Sequence, residues 1–368
     1  MSKILVTGGC GFIGRHVVAE LLAKGHDVRV LDSLVEQVHT DEAIDLPAEV
    51  EVIYADIRNR DAVRNALVGI EAVVHLAAEV GVGQSMYEIV RYVGGNDLAT
   101  AVLLEELIDT PVSKIVVASS MSIYGEGLYV DEQGRRHDRI QRSAEAMRLG
   151  HWEPTGPDGQ PLTPVPTDEE KSASLASIYA LTKYFQEQAV LIFGRAYGID
   201  ATALRLFNVF GAGQALSNPY TGVLVNFAAR LANGQPPVIF EDGLQRRDFV
   251  HVKDVARAFR LALEKPAAAG HVFNIGSGNA YAIADVAAML ASAMGVPETT
   301  PEILGRARAG DIRHCFADIS KAQELLGFEP RLKLENALEP FVEWVRGSSA
   351  VDRSQEMQRQ LQEKGLVS

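Results

Sequence analysis

Cysteine is nearly absent. Only Cys10 and Cys315 carry thiols among 368 residues, and they stand far apart in the chain. Two such residues build neither a disulfide framework nor a cysteine metal cluster, and they fit a reducing compartment. Long apolar runs are missing as well: no stretch approaches the ~20 residues needed to span a bilayer. Met1-Ser2-Lys3 leads straight into strand-like Ile4-Leu5-Val6 rather than into a secretory leader. Positive charge is in deficit, with 35 Lys and Arg against 48 Asp and Glu and a net charge of −13. A nucleic-acid partner requires a basic face, so that class is excluded. An anionic small molecule is not, because a few local arginines suffice. A cytoplasmic protein with no membrane and no nucleic-acid partner is expected.

What is present is alternation. Val- and Ile-rich runs at 3–7, 28–31, 50–54, 72–76 and 114–118 read as strands. Stretches at 15–24, 60–67, 96–108 and 179–196 read as helices. Strands with little polar alternation are buried on both faces, which predicts a parallel sheet covered by helices. The predicted fold class is α/β, a Rossmann-type doubly wound parallel sheet over residues 1–205, with a smaller α/β substrate-binding domain over 206–346. Strand-like pieces at 237–240 and 271–275 follow, and the chain is expected to return to the sheet near 271–276. Residues 347–368 form a polar, helix-prone tail. Residues 126–177 make a long polar segment rich in Pro and Gly, the kind of loop that is functional or disordered. Its His137 and His151 have no accompanying cysteine, so no metal is assigned.

Two motifs carry chemistry. Gly8-Gly9-Cys10-Gly11-Phe12-Ile13-Gly14 lies between the first strand and the first helix. Glycines there let backbone approach a pyrophosphate, and the helix N-terminus supplies N–H donors. Asp32 closes the second strand, where a carboxylate accepts ribose hydroxyls and repels a 2′-phosphate, favouring NAD over NADP. Tyr179 and Lys183 stand at i and i+4 on one helical face, where a neighbouring ammonium favours the phenolate. Upstream, Ser119-Ser120-Met121-Ser122 ends a parallel-type strand and offers a hydroxyl beside the Tyr.

Together with His75-Leu76-Ala77-Ala78 and Arg205-Leu206-Phe207-Asn208, these motifs resemble the extended short-chain dehydrogenase/reductases, especially the UDP-glucose 4-epimerase group. The likeness runs from Lys3 to about Trp344. It implies that Gly8, Gly11, Phe12, Ile13 and Gly14 cradle the NAD pyrophosphate and Asp32 takes the ribose. Asp56 and Ile57 would flank the adenine, and Ala77 and Ala78 would line the path to the nicotinamide. Ser120, Tyr179 and Lys183 would be the catalytic group, with Lys183 also on the nicotinamide ribose. Asn208, Arg247 and Arg308 would hold the diphosphate of a nucleotide sugar. Asp254, Asn274, Gly276 and Asp311 have a structural reading beside a functional one. The helices at 96–108 and 179–196 correspond to those that form a four-helix bundle in homodimeric relatives.

The same likeness narrows the reaction. Dehydratase relatives carry an Asp-Glu pair where this chain has Met121 and Ser122, and 3,5-epimerases need a Cys and a Lys that Cys10 and Cys315 are not placed to supply. A 4-epimerase working through a transient 4-keto sugar with recycled NAD is the expectation. The insert, with Trp152-Glu153-Pro154 and 161–169, is similar to bacterial dTDP-L-rhamnose 4-epimerases, though cysteine pairs found there in such sequences are missing. The expected substrate is a dTDP-6-deoxyhexose. UDP-glucose or UDP-glucuronate epimerisation, a related decarboxylase or 2-epimerase, and an NAD-binding regulator without turnover are the alternatives.

Overall fold

The computed structural model describes residues 2–39, 46–216, 218, 220, 222–308, 310–348 and 354–367. Residues 349–353 and 368 of the tail, and Ala309 beside Arg308, lie outside that set. Seven strands form one parallel sheet: β1 (Lys3–Thr7), β2 (Asp27–Asp32), β3 (Glu51–Tyr54), β4 (Ala72–His75), β5 (Lys114–Ser120), β6 (Asp200–Leu206) and β7 (Val272–Ile275). Their order is β7-β6-β5-β4-β1-β2-β3. The order reverses between β1 and β4, and a crevice opens beyond the carboxyl ends of strands at such a switch point. β6 and its place beside β5 are an addition to the strands read from the sequence. Its first residue is a surface Asp200, but the following six are buried.

The sheet is covered on both faces, as its apolar strands require. Val6 and Val30 pack with Val17, Val18 and Leu21 of helix Phe12–Ala23 and with Val255 and Phe259 of helix Val252–Glu264. On the other face Leu5 and Val73 pack with Leu103 of helix Ala99–Asp109 and Val190 of helix Ile178–Tyr197. Truncating one such fully buried Leu to Ala costs roughly 2–5 kcal/mol. A third cluster joins helices Val223–Ala232, Ile283–Ala293 and Leu334–Gly347 in the later half. Of the 237–240 run only Val238–Ile239 forms a strand, paired with Glu302–Ile303. The reading of helix from 96 is corrected at its start: a π-helical turn, Val93–Leu98, precedes the α-helix. Among the described residues no helix is long and apolar enough to cross a membrane.

The long insert is ordered rather than loose. Leu128–Val130 pairs antiparallel with Arg136–His137 and with Thr163–Val165. Charge ties it to the later half. Arg313, 1% exposed, bonds Glu153, Glu241 and Asp242, while Arg142 bonds Glu126 and Glu241. His137 bonds Asp131 at 3.1 Å. The pairs of Glu241 with Arg313 and Arg142 are buried on both sides, and such pairs are costly to break singly, because the orphaned charge stays buried. The tail supplies helix Ser354–Glu363, whose Met357 and Leu361 are buried.

Candidate active site

Two cavities meet at the carboxyl ends of β1, β4 and β5. The larger, about 1130 Å³, is lined by Gly8, Gly11, Phe12, Ile13 and Gly14, and further along by Asp32, Asp56, Ile57, Ala77 and Ala78. The smaller, about 380 Å³, runs past Arg247 and Arg308. Ser120, Tyr179 and Asn208 stand in the walls of both.

The glycine turn is shaped for close approach. Gly8 holds φ +71, and a Cβ there would stand 2.9 Å from the backbone N of Ala77. A Cβ on Gly14 would stand 2.2 Å from the Gly8 carbonyl oxygen. Gly11 caps the helix Phe12–Ala23 with no side-chain hydrogen bond, so the N-terminal N–H groups face the crevice uncapped by any side chain. This is the arrangement that binds an anion. Asp32 sits at the far edge. Its carboxylate accepts the Cys10 and Leu34 N–H groups, both at 2.9 Å. His39 lies 3.5 Å away. Burial works to raise this carboxyl, but the bonds from His39, Leu34 and Cys10 outweigh it and hold it below the ordinary value. His39 was not singled out from the sequence; nothing in its neighbours signals the contact. Asp56 is engaged by its own loop, through Arg58.

Ser120 ends β5, and its Oγ accepts both the Ser122 N–H at 3.1 Å and the Ser122 hydroxyl at 2.9 Å. A hydroxyl has two acceptor sites and one proton, so the Ser120 O–H is left to donate outward. Tyr179 lines the same cavity walls. Tyr179 opens helix Ile178–Tyr197, which Ser177 caps by accepting the Ala180 N–H. Burial pushes the phenol up to about 12, and the Ser120 hydroxyl works against that. Lys183 is buried, and burial pushes its ammonium down to about 7. Its Nζ donates to Gln186 Oε1 at 2.6 Å. The i, i+4 expectation of a lowered phenol is therefore corrected: in this geometry the ammonium is turned to Gln186, and desolvation of the phenol dominates.

Behind the pair lies a buried polar chain that the sequence reading missed. Gln186 Nε2 donates to Thr100 Oγ1 at 2.8 Å, Thr100 meets His75 Nε2 at 2.9 Å, and His75 Nδ1 meets Thr7 Oγ1 at 2.8 Å. Burial, reinforced by Lys183, pushes His75 down to about 3, so it is neutral. Asn96 lies alongside, donating to Thr182 and accepting the Glu79 N–H. The periodicity of these helices marks them as amphipathic but cannot say that their polar members meet one another.

The later residues are held through backbone. Asn208 Nδ2 donates to the Asp248 carbonyl at 3.0 Å. Arg247 donates to the carbonyls of Arg246, Arg313 and Ile312. Arg308 is paired with Asp311 through two bonds of 2.9 and 3.1 Å and lies over the Phe240 ring. Its charge is thus partly answered within its own loop. Asp254 accepts the Arg331 and Leu332 N–H groups, and Asn274 donates to the Thr167 and Asp318 carbonyls. Gly276 leaves room for Asp248, whose oxygen a Cβ there would approach to 2.6 Å.

The model of the family described as NAD dependent epimerase/dehydratase matches residues 4–147 and 151–276. The chain belongs to that family. It is an NAD-dependent nucleotide-sugar epimerase. This epimerase is 34% identical to the dTDP-L-rhamnose 4-epimerase of Burkholderia thailandensis over 94% of its own length and 95% of the relative's. It is 31% identical to the UDP-glucose 4-epimerase of Corynebacterium glutamicum, covering 96% and 98%. Among solved structures it is similar to the Thermotoga maritima UDP-glucose 4-epimerase with UDP-glucose, with a TM-score of 0.76, 31% identity and coverage of 94% and 99%. The Thermus thermophilus UDP-glucose 4-epimerase with NAD gives 0.75, 29%, 94% and 100%. The cradle in this epimerase fits that cofactor: the glycines whose Cβ positions are filled, the helix end without a side-chain cap and Asp32 all line one crevice.

Proposed function

We propose that this epimerase inverts C4 of a dTDP-6-deoxyhexose, interconverting dTDP-L-rhamnose and dTDP-6-deoxy-L-talose. One observation carries the reaction type: Ser120 and Tyr179 stand together in the wall shared by both cavities. A sugar carbon between them lies next to the NAD crevice and within reach of an acid–base group. The 34% relative over nearly the whole chain supports the sugar.

Gly8, Gly11, Phe12, Ile13 and Gly14 would hold the cofactor's pyrophosphate and Asp32 its ribose, with Asp56, Ile57, Ala77 and Ala78 along the rest of the crevice. NAD held there would supply the redox chemistry, a reversible exchange of hydrogen with its electron pair at sugar C4. Tyr179 accepts the proton of the 4-hydroxyl and later gives it back. Ser120 donates a hydrogen bond to the same oxygen throughout. Lys183, on the nicotinamide side, supplies positive charge that favours the deprotonated phenol once its Nζ turns from Gln186. Asn208, Arg247 and Arg308 hold the diphosphate, so that the 4-keto sugar turns about that anchor. Residues 1–205 thus carry the cofactor and 206–346 most of the substrate. A second copy of the chain would pack on Leu98, Ile108, Leu181, Phe185 and Ile192, apolar side chains exposed on the helices Ala99–Asp109 and Ile178–Tyr197 and just before the first of them.

The test is incubation with dTDP-L-rhamnose, UDP-glucose and UDP-glucuronate in deuterated buffer, followed by NMR. Conversion of dTDP-L-rhamnose to its C4 epimer without deuterium at C4 is expected. Turnover of UDP-glucose alone would overturn the sugar assignment, and deuterium at C4 would overturn the direct return of the C4 hydrogen.

A further inference from the structure

The tail closes one side of the smaller cavity. Helix Ser354–Glu363 places Met357, Gln360 and Leu361 at i, i+3 and i+4, on one face. The helix ends at Gly365, φ +68, with the Gly365 N–H on Gln362 O and the Leu366 N–H on Leu361 O, both 2.9 Å. This left-handed cap folds Leu366 back toward Leu361. Val367 then bridges antiparallel to Arg308. Gln360 Oε1 accepts the phenols of Tyr87 and Tyr220.

The helix lies close to the reacting end. A Cβ on Gly83 would stand 3.2 Å from Leu361 Cδ2. Gly83 belongs to the turn Val82–Ser85, and Ser85 Oγ accepts the Tyr179 N–H at 3.0 Å. Met357, Leu361 and Leu366 line the same cavity as Ser120 and Tyr179. None of the three carries a strong hydrogen-bonding group. A sugar hydroxyl pressed against them loses water without a replacement, whereas a methyl loses nothing.

We infer that Met357, Leu361 and Leu366 are specificity-determining residues, forming an apolar wall for the methyl group of a 6-deoxyhexose. The inference rests on the epimerase reading above and says which part of the chain selects the sugar. A single apolar group in a hydrophobic pocket discriminates by roughly 10–200-fold. Loss of the wall lowers the preference for the 6-deoxy sugar by about tenfold or more on that scale.

The experiment compares the full chain, a chain ending after Ser348, and the point variants Leu361→Ser and Leu361→Met. Each is assayed for kcat/KM on dTDP-L-rhamnose and UDP-glucose, with bound NAD measured alongside. Truncation and Leu361→Ser are expected to lose about tenfold on dTDP-L-rhamnose relative to UDP-glucose, with NAD content unchanged and Leu361→Met close to the parent. Full turnover of dTDP-L-rhamnose by the parent with an unchanged ratio in Leu361→Ser overturns the wall and leaves the reaction standing. A parent that converts no 6-deoxy sugar overturns the sugar assignment and the wall with it. If the truncated chain does not fold, the two point variants decide alone.

Discussion

Replacing Ser122 with Ala removes one hydrogen bond and little else, and it tests whether the orientation of Ser120 matters to the reaction. In the parent, both acceptor sites of Ser120 Oγ are filled by Ser122, through its hydroxyl at 2.9 Å and its N–H at 3.1 Å. The proton of Ser120 is therefore left free to donate into the cavity, where the proposed reaction places the sugar oxygen. In Ser122→Ala the N–H bond survives, and the Ser120 hydroxyl gains rotational freedom. A neutral hydrogen bond contributes about 0.5–1.5 kcal/mol. At about 1.36 kcal/mol per tenfold in rate, kcat should fall about two- to thirteen-fold. Ser120→Ala, which removes the donor itself, should cost roughly 10²–10³. The assay is the NMR progress curve at saturating sugar nucleotide, with KM from a concentration series and NAD content measured after denaturation. An unchanged kcat in Ser122→Ala refutes the orienting role. A raised KM with unchanged kcat shows instead that Ser122 meets the substrate directly.

Tyr179→Phe should lower kcat by about 10²–10⁴ while leaving NAD content and thermal midpoint near those of the parent, because only the acid–base group is removed; retained turnover removes Tyr179 from the reaction. Asp32→Ala should weaken NAD by roughly tenfold to a hundredfold, from the loss of charge-assisted bonds, and should admit NADP, as read by fluorescence titration of both reduced cofactors. Equal binding of NADP to the parent contradicts the assignment of Asp32. Stability should depend on pH through His75, pushed down to about 3 by burial. Between about pH 6.5 and 3 the unfolded chain binds this proton and the folded chain does not, so stability falls as pH falls through that window, by about 1.4 kcal/mol per unit. Asp248, raised to about 6 by burial, acts in the opposite sense over part of the range. The readout is therefore the difference between parent and His75→Asn in urea midpoints, and parallel curves for the two proteins would show that His75 is not the source.

Much of this was legible in the sequence because it is local. The glycine turn, the buried strands and the spacing of Tyr179 and Lys183 each announce themselves within a few residues. Apolar strands with little polar alternation required the two-sided cover that the sheet has. What stayed hidden depends on partners brought together from afar. Arg313 meets Glu153 and Asp242 across 160 and 71 positions, so the insert could be read from sequence only as a long polar loop, functional or disordered, although charge holds it in place. The direction of Lys183 was equally hidden, since helical spacing puts two side chains on one face but does not say which neighbour the ammonium chooses. Gln186, one turn on, was closer in geometry. The tail read as polar because Met357, Leu361 and Leu366 are few among charged residues, and only their spacing on one face, at 357 and 361, hinted at a buried side.

The return of the chain to the sheet has a consequence for how this molecule can be divided. β7 borders β6, and helix Val252–Glu264 shares a core with helix Phe12–Ala23. Material numbered beyond 205 therefore shields the glycine turn's own helix. A cut at 205 would strip an edge strand and bare an apolar face, and the fragment 1–205 would clump rather than stand as a cofactor-binding module. The residues beyond 205 are in part a long detour between two adjacent strands, β6 and β7, and in part a segment that follows β7 and packs back on that detour. Recombining such enzymes to change the sugar would require exchanging pieces on both sides of β7, the tail included, and would fail by joining halves end to end.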